Sequence, residues 1–141
     1  MIEAIEYDYR HRKHMIALLA SRSMPVELIE DLPENGIIVL DLSHHHEPAI
    51  AAGFLRIIED KFGLLDAFIT NPLEPSIRRD AALDLLTNKL INLGIHLGLS
   101  NLFAFSKDES ILGRSKRFGF KDNDMKLISM SLDGGIGIWG S

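Results

Sequence analysis

Residues 62–105 read FGLLDAFITNPLEPSIRRDAALDLLTNKLINLGIHLGLSNLFAF, and the fold turns on this stretch. Phe62–Thr70 is an apolar run of strand length, broken by Asn71-Pro72-Leu73-Glu74-Pro75-Ser76, where two prolines remove donors and fix φ. Leu83, Leu86, Leu90, Leu93 and Leu97 then fall on one stripe of a helix predicted over Ile77–Leu97. Gly98 is placed to end that helix, and Leu99–Phe105 returns as a strand. A strand, a crossover helix and a second strand in one sheet pair in parallel.

Upstream, Ile2–Glu6 alternates apolar and acidic residues and reads as a short strand. Asp8–Ser23 carries Met15, Ile16, Leu18 and Leu19 at helical spacing, and Pro25 opens a second short helix over Val26–Leu32. After the turn Pro33-Glu34-Asn35-Gly36 come strands over Gly36–Leu42 and Ala49–Ile58, then the Phe62 strand. The connectors between them are short and polar, so these three make an antiparallel meander. Downstream, a helix over Asp108–Phe118 is closed by Gly119, and a last strand over Met125–Leu132 precedes a Gly-rich tail, residues 133–141. The order β-α-α-β-β-β-α-β-α-β defines one mixed α/β domain over residues 1–132. Its sheet is mostly antiparallel with one parallel crossover, and helices lie on both faces.

The composition agrees with a soluble domain. Of 141 residues, 46% are hydrophobic and 25% charged, which is close to the globular average. The absence of cysteine excludes disulfide frameworks, zinc ribbons and thiol nucleophiles. A formal charge of −5 argues against bulk attraction to nucleic acid or anionic membrane. With no basic leader and no long apolar span, the expected location is cytoplasmic, without membrane insertion. Lys107, Arg114, Lys116, Arg117 and Lys121 form a local basic patch, open either to an anionic ligand or to solvent alone.

Chemistry enters at the strand-to-helix connection. The first amides of a helix have no intrahelical partner and sit at the positive end of the macrodipole, so they attract phosphate. Arg78 and Arg79 add two guanidiniums of suitable geometry, although arginines in a first turn are also commonly solvated. Asp66 lies within an apolar strand. On a buried face its pKa would rise and suit a general base, whereas on an open face it is simply solvated. His44 and His46 share a strand face, which is too few ligands for a metal and fits a polar hairpin tip, so no metal is expected.

The whole pattern resembles the GNAT superfamily of N-acetyltransferases over nearly the full chain. The element order carries the resemblance, as does the long helix ending at Gly98 before Leu102-Phe103-Ala104-Phe105. So does the segment from Asp108 to Phe120, which looks like the family's N-x-x-A-x-x-L-Y-x-K-x-G-F. The acetyl-CoA signature Q/R-x-x-G-x-G/A falls on Arg78-Arg79-Asp80-Ala81-Ala82-Leu83, where Arg78 matches and Ala81 and Leu83 replace glycines. The resemblance implies acetyl-CoA as co-substrate and direct attack by a primary amine of a small molecule, peptide or protein. It implies cofactor contacts from the Ile69 and Thr70 backbone, Arg78, Arg79, the amides of Asp80 to Leu83, Asp108 and Arg114. It puts Asp66 near the family's catalytic carboxylate and Ser115 where the family has its tyrosine acid, and it makes Tyr7, Tyr9, Glu27 and Glu30 candidate acceptor contacts. The missing glycines and tyrosine define the alternative, a GNAT-like module that binds or interacts without transfer. Open sheet edges and the tail bearing Ile136, Ile138 and Trp139 leave a homodimer open.

Overall fold

The computed structural model describes residues 1–43, 48–106, 109–123 and 128–132. They fall in two compact units, Met1–Ala104 and Phe105–Ser141. The first unit is built on a five-stranded sheet in the sequential order β1 (Ile2–Glu6), β2 (Asn35–Asp41), β3 (Ala51–Ile58), β4 (Phe62–Thr70) and β5 (Asn101–Phe103). The first four strands are antiparallel neighbours, and β4 pairs with β5 in parallel, as the crossover requires.

Alternation along the strands sends side chains to two faces. One face packs on α2 (Ser76–His96), where Ala82, Leu86 and Leu90 meet Ala4, Ile37, Val39, Ala51 and Leu55. Thr87 is buried on the same helix because its hydroxyl donates to the Leu83 carbonyl at 2.7 Å. The opposite face carries Ile38, Ala52, Phe54 and Ile69, all buried. Its cover comes from α1 (Arg12–Ser21), through Met15, Leu18 and Leu19, and from the segment Val26–Asp31, through Leu28 and Ile29. Burying each of the large apolar side chains stabilises by about 1.5–3 kcal/mol, so the two helical layers hold the sheet from both sides.

Local chemistry explains where the elements differ from expectation. Asp8 caps a 3-10 turn at Tyr9–His11: it accepts the Arg10 amide, and the Asp8 amide donates to His11 Nδ1 at 3.1 Å. The α-helix therefore starts only at Arg12. Val26–Asp31 is a 3-10 helix, hemmed between Pro25 and Pro33. Gly98 ends α2 at φ +77°, with the Leu99 amide on the Gly94 carbonyl at 3.0 Å. β5 is three residues long, not seven, and spans Asn101–Phe103. In the second unit α3 spans Glu109–Arg117, followed by Gly119 at φ +96°. The strand expected over Met125–Leu132 is not found in its described part: residues 128–132 join no ladder, and Ile128, Met130 and Leu132 are exposed. Alternating side chains define a strand face, but a strand forms only where an edge accepts its hydrogen bonds. Residues 124–127 and the tail 133–141 lie outside the described residues.

Gly36 on β2 lies directly opposite Phe54 on β3, and the ring covers it so closely that a Cβ would stand 2.2 Å from the ring's Cδ1. Gly36→Ala is therefore expected to lower stability by about 1–3 kcal/mol in urea titration, and Phe54→Leu in the same chain to recover part of that loss.

Candidate active site

The site grows from β4. It pairs with β3 along its length, but with β5 only over Phe62–Leu64, so from Leu65 onward its outer edge meets no strand among the described residues. The ladder to β3 is itself interrupted. Ala52 pairs with Ile69 and Phe54 with Asp66, which sets two residues, Ala67 and Phe68, against the single Gly53. This is a β-bulge, and Ala67 enters it in the left-handed region at φ +53°. Gly53 makes room: a Cβ there would lie 2.7 Å from Phe68 Cε1.

Asp66 borders the bulge on the α1 face of the sheet. Its side chain is 14% exposed, Oδ1 accepts the Ala67 amide at 2.8 Å, and Oδ2 accepts Arg56 Nε at 3.1 Å. The carboxylate is thus neither in an apolar pocket nor simply solvated; both its oxygens are engaged. Phe54, its cross-strand partner, is met edge-on by Tyr7 at 5.4 Å between ring centroids. Burial raises the Tyr7 pKa, opposed by the positive charge of Arg12. Tyr9, Glu27 and Glu30 are exposed, and Glu30 accepts Arg12 at 2.7 Å.

At the end of β4 the Thr70 carbonyl and hydroxyl both accept from the Arg22 guanidinium, each at 2.7 Å. Asn71 is buried and shapes the loop that follows. Its amide donates to the Ile50 carbonyl at 2.9 Å, and its side-chain oxygen accepts the Leu73 amide at 3.0 Å. The loop delivers Pro75 as the residue before α2, with no side-chain cap. The Arg79 amide reaches the Pro75 carbonyl at 2.9 Å, so the amides of Ser76, Ile77 and Arg78 precede the helical ladder and have no carbonyl within it.

Asp80 to Leu83 lie one turn further in. Their amides belong to the α2 ladder, Ala82 is buried, and Leu83 packs against the core. Arg78 is held by two carboxylates, donating to Glu74 at 2.7 Å and to Asp41. Arg79 has a buried Nε without a hydrogen-bond partner among the described residues. The hydroxyl and amide of Ser43, and then Arg78, hold the Asp41 carboxyl well below the usual carboxylate range. In the second unit, Arg114 lies on α3 and Ser115 donates its hydroxyl to the Ile111 carbonyl at 2.9 Å. Asp108 lies outside the described residues, as do His44 and His46. Among the described residues, no three His, Asp or Glu side chains gather as a metal site.

The structure thus brings Asp66, Ile69, Thr70, Arg78 and Arg79 along one strand, loop and helix start. Sequence reasoning missed the bulge, since alanine carries no mark of a positive φ, and it missed the Arg22 contact, made across 48 residues of chain. The uncapped helix start was signalled by Pro75-Ser76.

No protein-family model and no curated protein matches this sequence. Solved structures do, and the chain has the fold of the GNAT N-acetyltransferases. An acetyltransferase of Trypanosoma brucei is 14% identical with a TM-score of 0.67, covering 94% of this chain and 99% of its own. Glucosamine-6-phosphate N-acetyltransferase from Arabidopsis thaliana is 11% identical, with the same TM-score and coverages of 94% and 99%. The aminoglycoside N-acetyltransferase AAC(6')-Iy, solved in complex with CoA, is 12% identical with a TM-score of 0.66, covering 93% and 95%.

Carboxylates depressed in the fold also set its acid limit. The Arg10 guanidinium lowers the Asp8 pKa to about 2, and Asp41 is lowered as well. Stability from a depressed carboxylate is fully present above its unfolded value, about 3.9, and is lost as pH falls through the folded one. Urea midpoints are therefore expected to hold from neutral pH down to about 5 and to fall below about 4, with a shallower fall in Asp8→Asn and Asp41→Asn.

Proposed function

We propose that this chain is an acetyl-CoA-dependent N-acetyltransferase that transfers an acetyl group to a primary amine by direct attack. The observation that carries this reading is the continuity of three features. They are a strand edge that meets no strand among the described residues from Leu65, a bulge at Ala67 and Phe68, and an uncapped helix start at Ser76–Arg78. Open backbone groups suit an extended amide-bearing arm, and unpaired amides suit a pyrophosphate. Acetyl-CoA presents both, and when bound it supplies the activated thioester.

In this reading the amides of Ser76, Ile77 and Arg78 hold the phosphates, and the backbone of Ile69 and Thr70 lines the arm. Arg79, whose Nε has no hydrogen-bond partner among the described residues, lies one residue on. Arg78 pairs with both Asp41 and Glu74 and offsets one of their two negative charges, which lessens their opposition to an anion at the helix start. The bulge turns backbone out of the β3 ladder, and donors there would stabilise charge developing on the thioester carbonyl. Arg114 and Asp108 are assigned to the outer phosphates. Ser115 stands where a side-chain acid is expected, but its hydroxyl faces the Ile111 carbonyl and is far less acidic than a phenol. Proton return to the leaving thiolate is therefore assigned to water. The acceptor is placed against Tyr7 on the α1 face.

A second reading, a module that has kept the fold and lost transfer, is favoured by the engagement of Arg78 with Asp41 and Glu74. Calorimetric titration with acetyl-CoA and with CoA separates the two. Micromolar binding of both, with thiol release in the presence of a primary amine, supports the enzyme; no binding at millimolar concentration rejects both cofactor contacts and transfer. Ser76→Pro tests the helix start. Proline fits a first helical position, and Pro75 already has the extended conformation that a following proline demands. The helix should survive with one donor fewer, and CoA affinity should fall about tenfold. Unchanged affinity would move the phosphates elsewhere.

A further inference from the structure

The geometry around β4 points to a role for Asp66 other than proton abstraction: we propose that Asp66 is a positioning residue that, with Arg56, locks the bulge at Ala67 and so fixes the strand backbone facing the thioester. The inference deepens the acetyltransferase reading and rests on it for the ligand. The clasp itself rests on geometry alone.

Three observations converge on Asp66. Ala67 holds φ +53°, a region that an L-residue with a β-carbon occupies at a cost, so something nearby must hold it there. The Ala67 amide, taken out of the β3 ladder by the bulge, donates to Asp66 Oδ1 at 2.8 Å, one residue away. The other oxygen is anchored across the strand pair by Arg56 Nε at 3.1 Å, a diagonal neighbour on β3. A carboxylate that accepts from a backbone amide and a guanidinium together is oriented by both, and it satisfies a donor that would otherwise lie unpaired in a largely buried turn of strand.

A general base must present a lone pair to the substrate ammonium, and here each oxygen already accepts a protein donor on a side chain only 14% exposed. In this proposal the backbone of the bulge, taken out of the β3 ladder, is what meets the thioester. Asp66 therefore acts through Ala67 and Phe68, fixing the direction of their peptide groups. This account also explains why the chain carries a charged pair within an otherwise apolar stretch of β3 and β4: Arg56 anchors one oxygen of Asp66 while the other accepts the Ala67 amide.

The test uses the full chain with acetyl-CoA and CoA as probes, and Ala67→Gly as the rescuing change, because glycine adopts a positive φ without a clasp. If the bulge backbone grips the thioester carbonyl, acetyl-CoA binds more tightly than CoA by about tenfold, the worth of one good hydrogen bond. Asp66→Ala should erase that preference while leaving CoA affinity unchanged. Asp66→Asn, which keeps an oxygen for the Ala67 amide, should retain most of it, and Asp66→Ala with Ala67→Gly should regain it. Loss in Asp66→Asn as complete as in Asp66→Ala, with no recovery on adding glycine, overturns the proposal. In parallel, amide exchange followed by NMR should show Ala67 protected in the parent and unprotected in Asp66→Ala; equal exchange rates also overturn it. If the parent binds neither probe, the acetyltransferase reading falls, and the Ala67 exchange rates alone decide whether the clasp exists.

Discussion

The parallel pairing of β4 with β5 is the constraint on which the rest of the first unit depends. A parallel neighbour can be reached only by a return crossover, and α2 makes it. Its 21 residues rise about 31 Å at 1.5 Å each, close to the length of the nine-residue β4 at about 3.3 Å per residue. The helix therefore carries the chain back to the level of Phe62 before β5 begins, and its apolar stripe covers the sheet on the way. Because β5 lasts only three residues, the pairing stops at Leu64, just before the bulge. Among the described residues the far half of β4 has one neighbouring strand, and it ends next to the start of the helix that made the crossover.

Charge is arranged around that helix start with little net excess. Arg78 bridges Asp41 at the end of β2 and Glu74 in the preceding loop, Asn71 folds the loop on itself, and Arg22 fastens the last residue of β4 to the turn after α1. The effect is to tie three separate elements to one short connection. In such an arrangement the arginine nearest the unpaired amides serves the protein's own carboxylates. The amides themselves are the groups left over.

Much of this was legible in the sequence, for reasons that differ by element. Phe62–Thr70 was placed to the residue, because a long apolar run between polar breaks admits few readings, and α2 was found within one residue at each end from its leucine stripe. Parallel pairing followed from connectivity alone. The ends of β5 were not legible, since Leu99 and Phe105 are apolar whether or not they pair, and pairing depends on how far the sheet twists away. Around the candidate site, the strand, the loop and the two arginines are adjacent in sequence, whereas the partners of their side chains are not. Arg78 met Asp41 across 37 residues and Asp66 met Arg56 across ten, contacts that no local pattern announces. The amides ahead of the helical ladder lie at Ser76 to Arg78, N-terminal to most of the Arg78–Leu83 signature, because the helix begins at Ser76.

The bare start of α2 has a consequence for how this protein can change. Most helices close their first turn with a serine, threonine, aspartate or asparagine, and doing so is worth roughly 1 kcal/mol. Here Pro75 holds the capping place and offers no oxygen from its side chain. An aspartate there would strengthen the fold and at the same stroke occupy an amide that an outside anion needs, bringing a second negative charge beside Glu74. Stability and ligand acceptance thus compete for the same few N–H groups, so a more robust version of this helix is also one with its door shut.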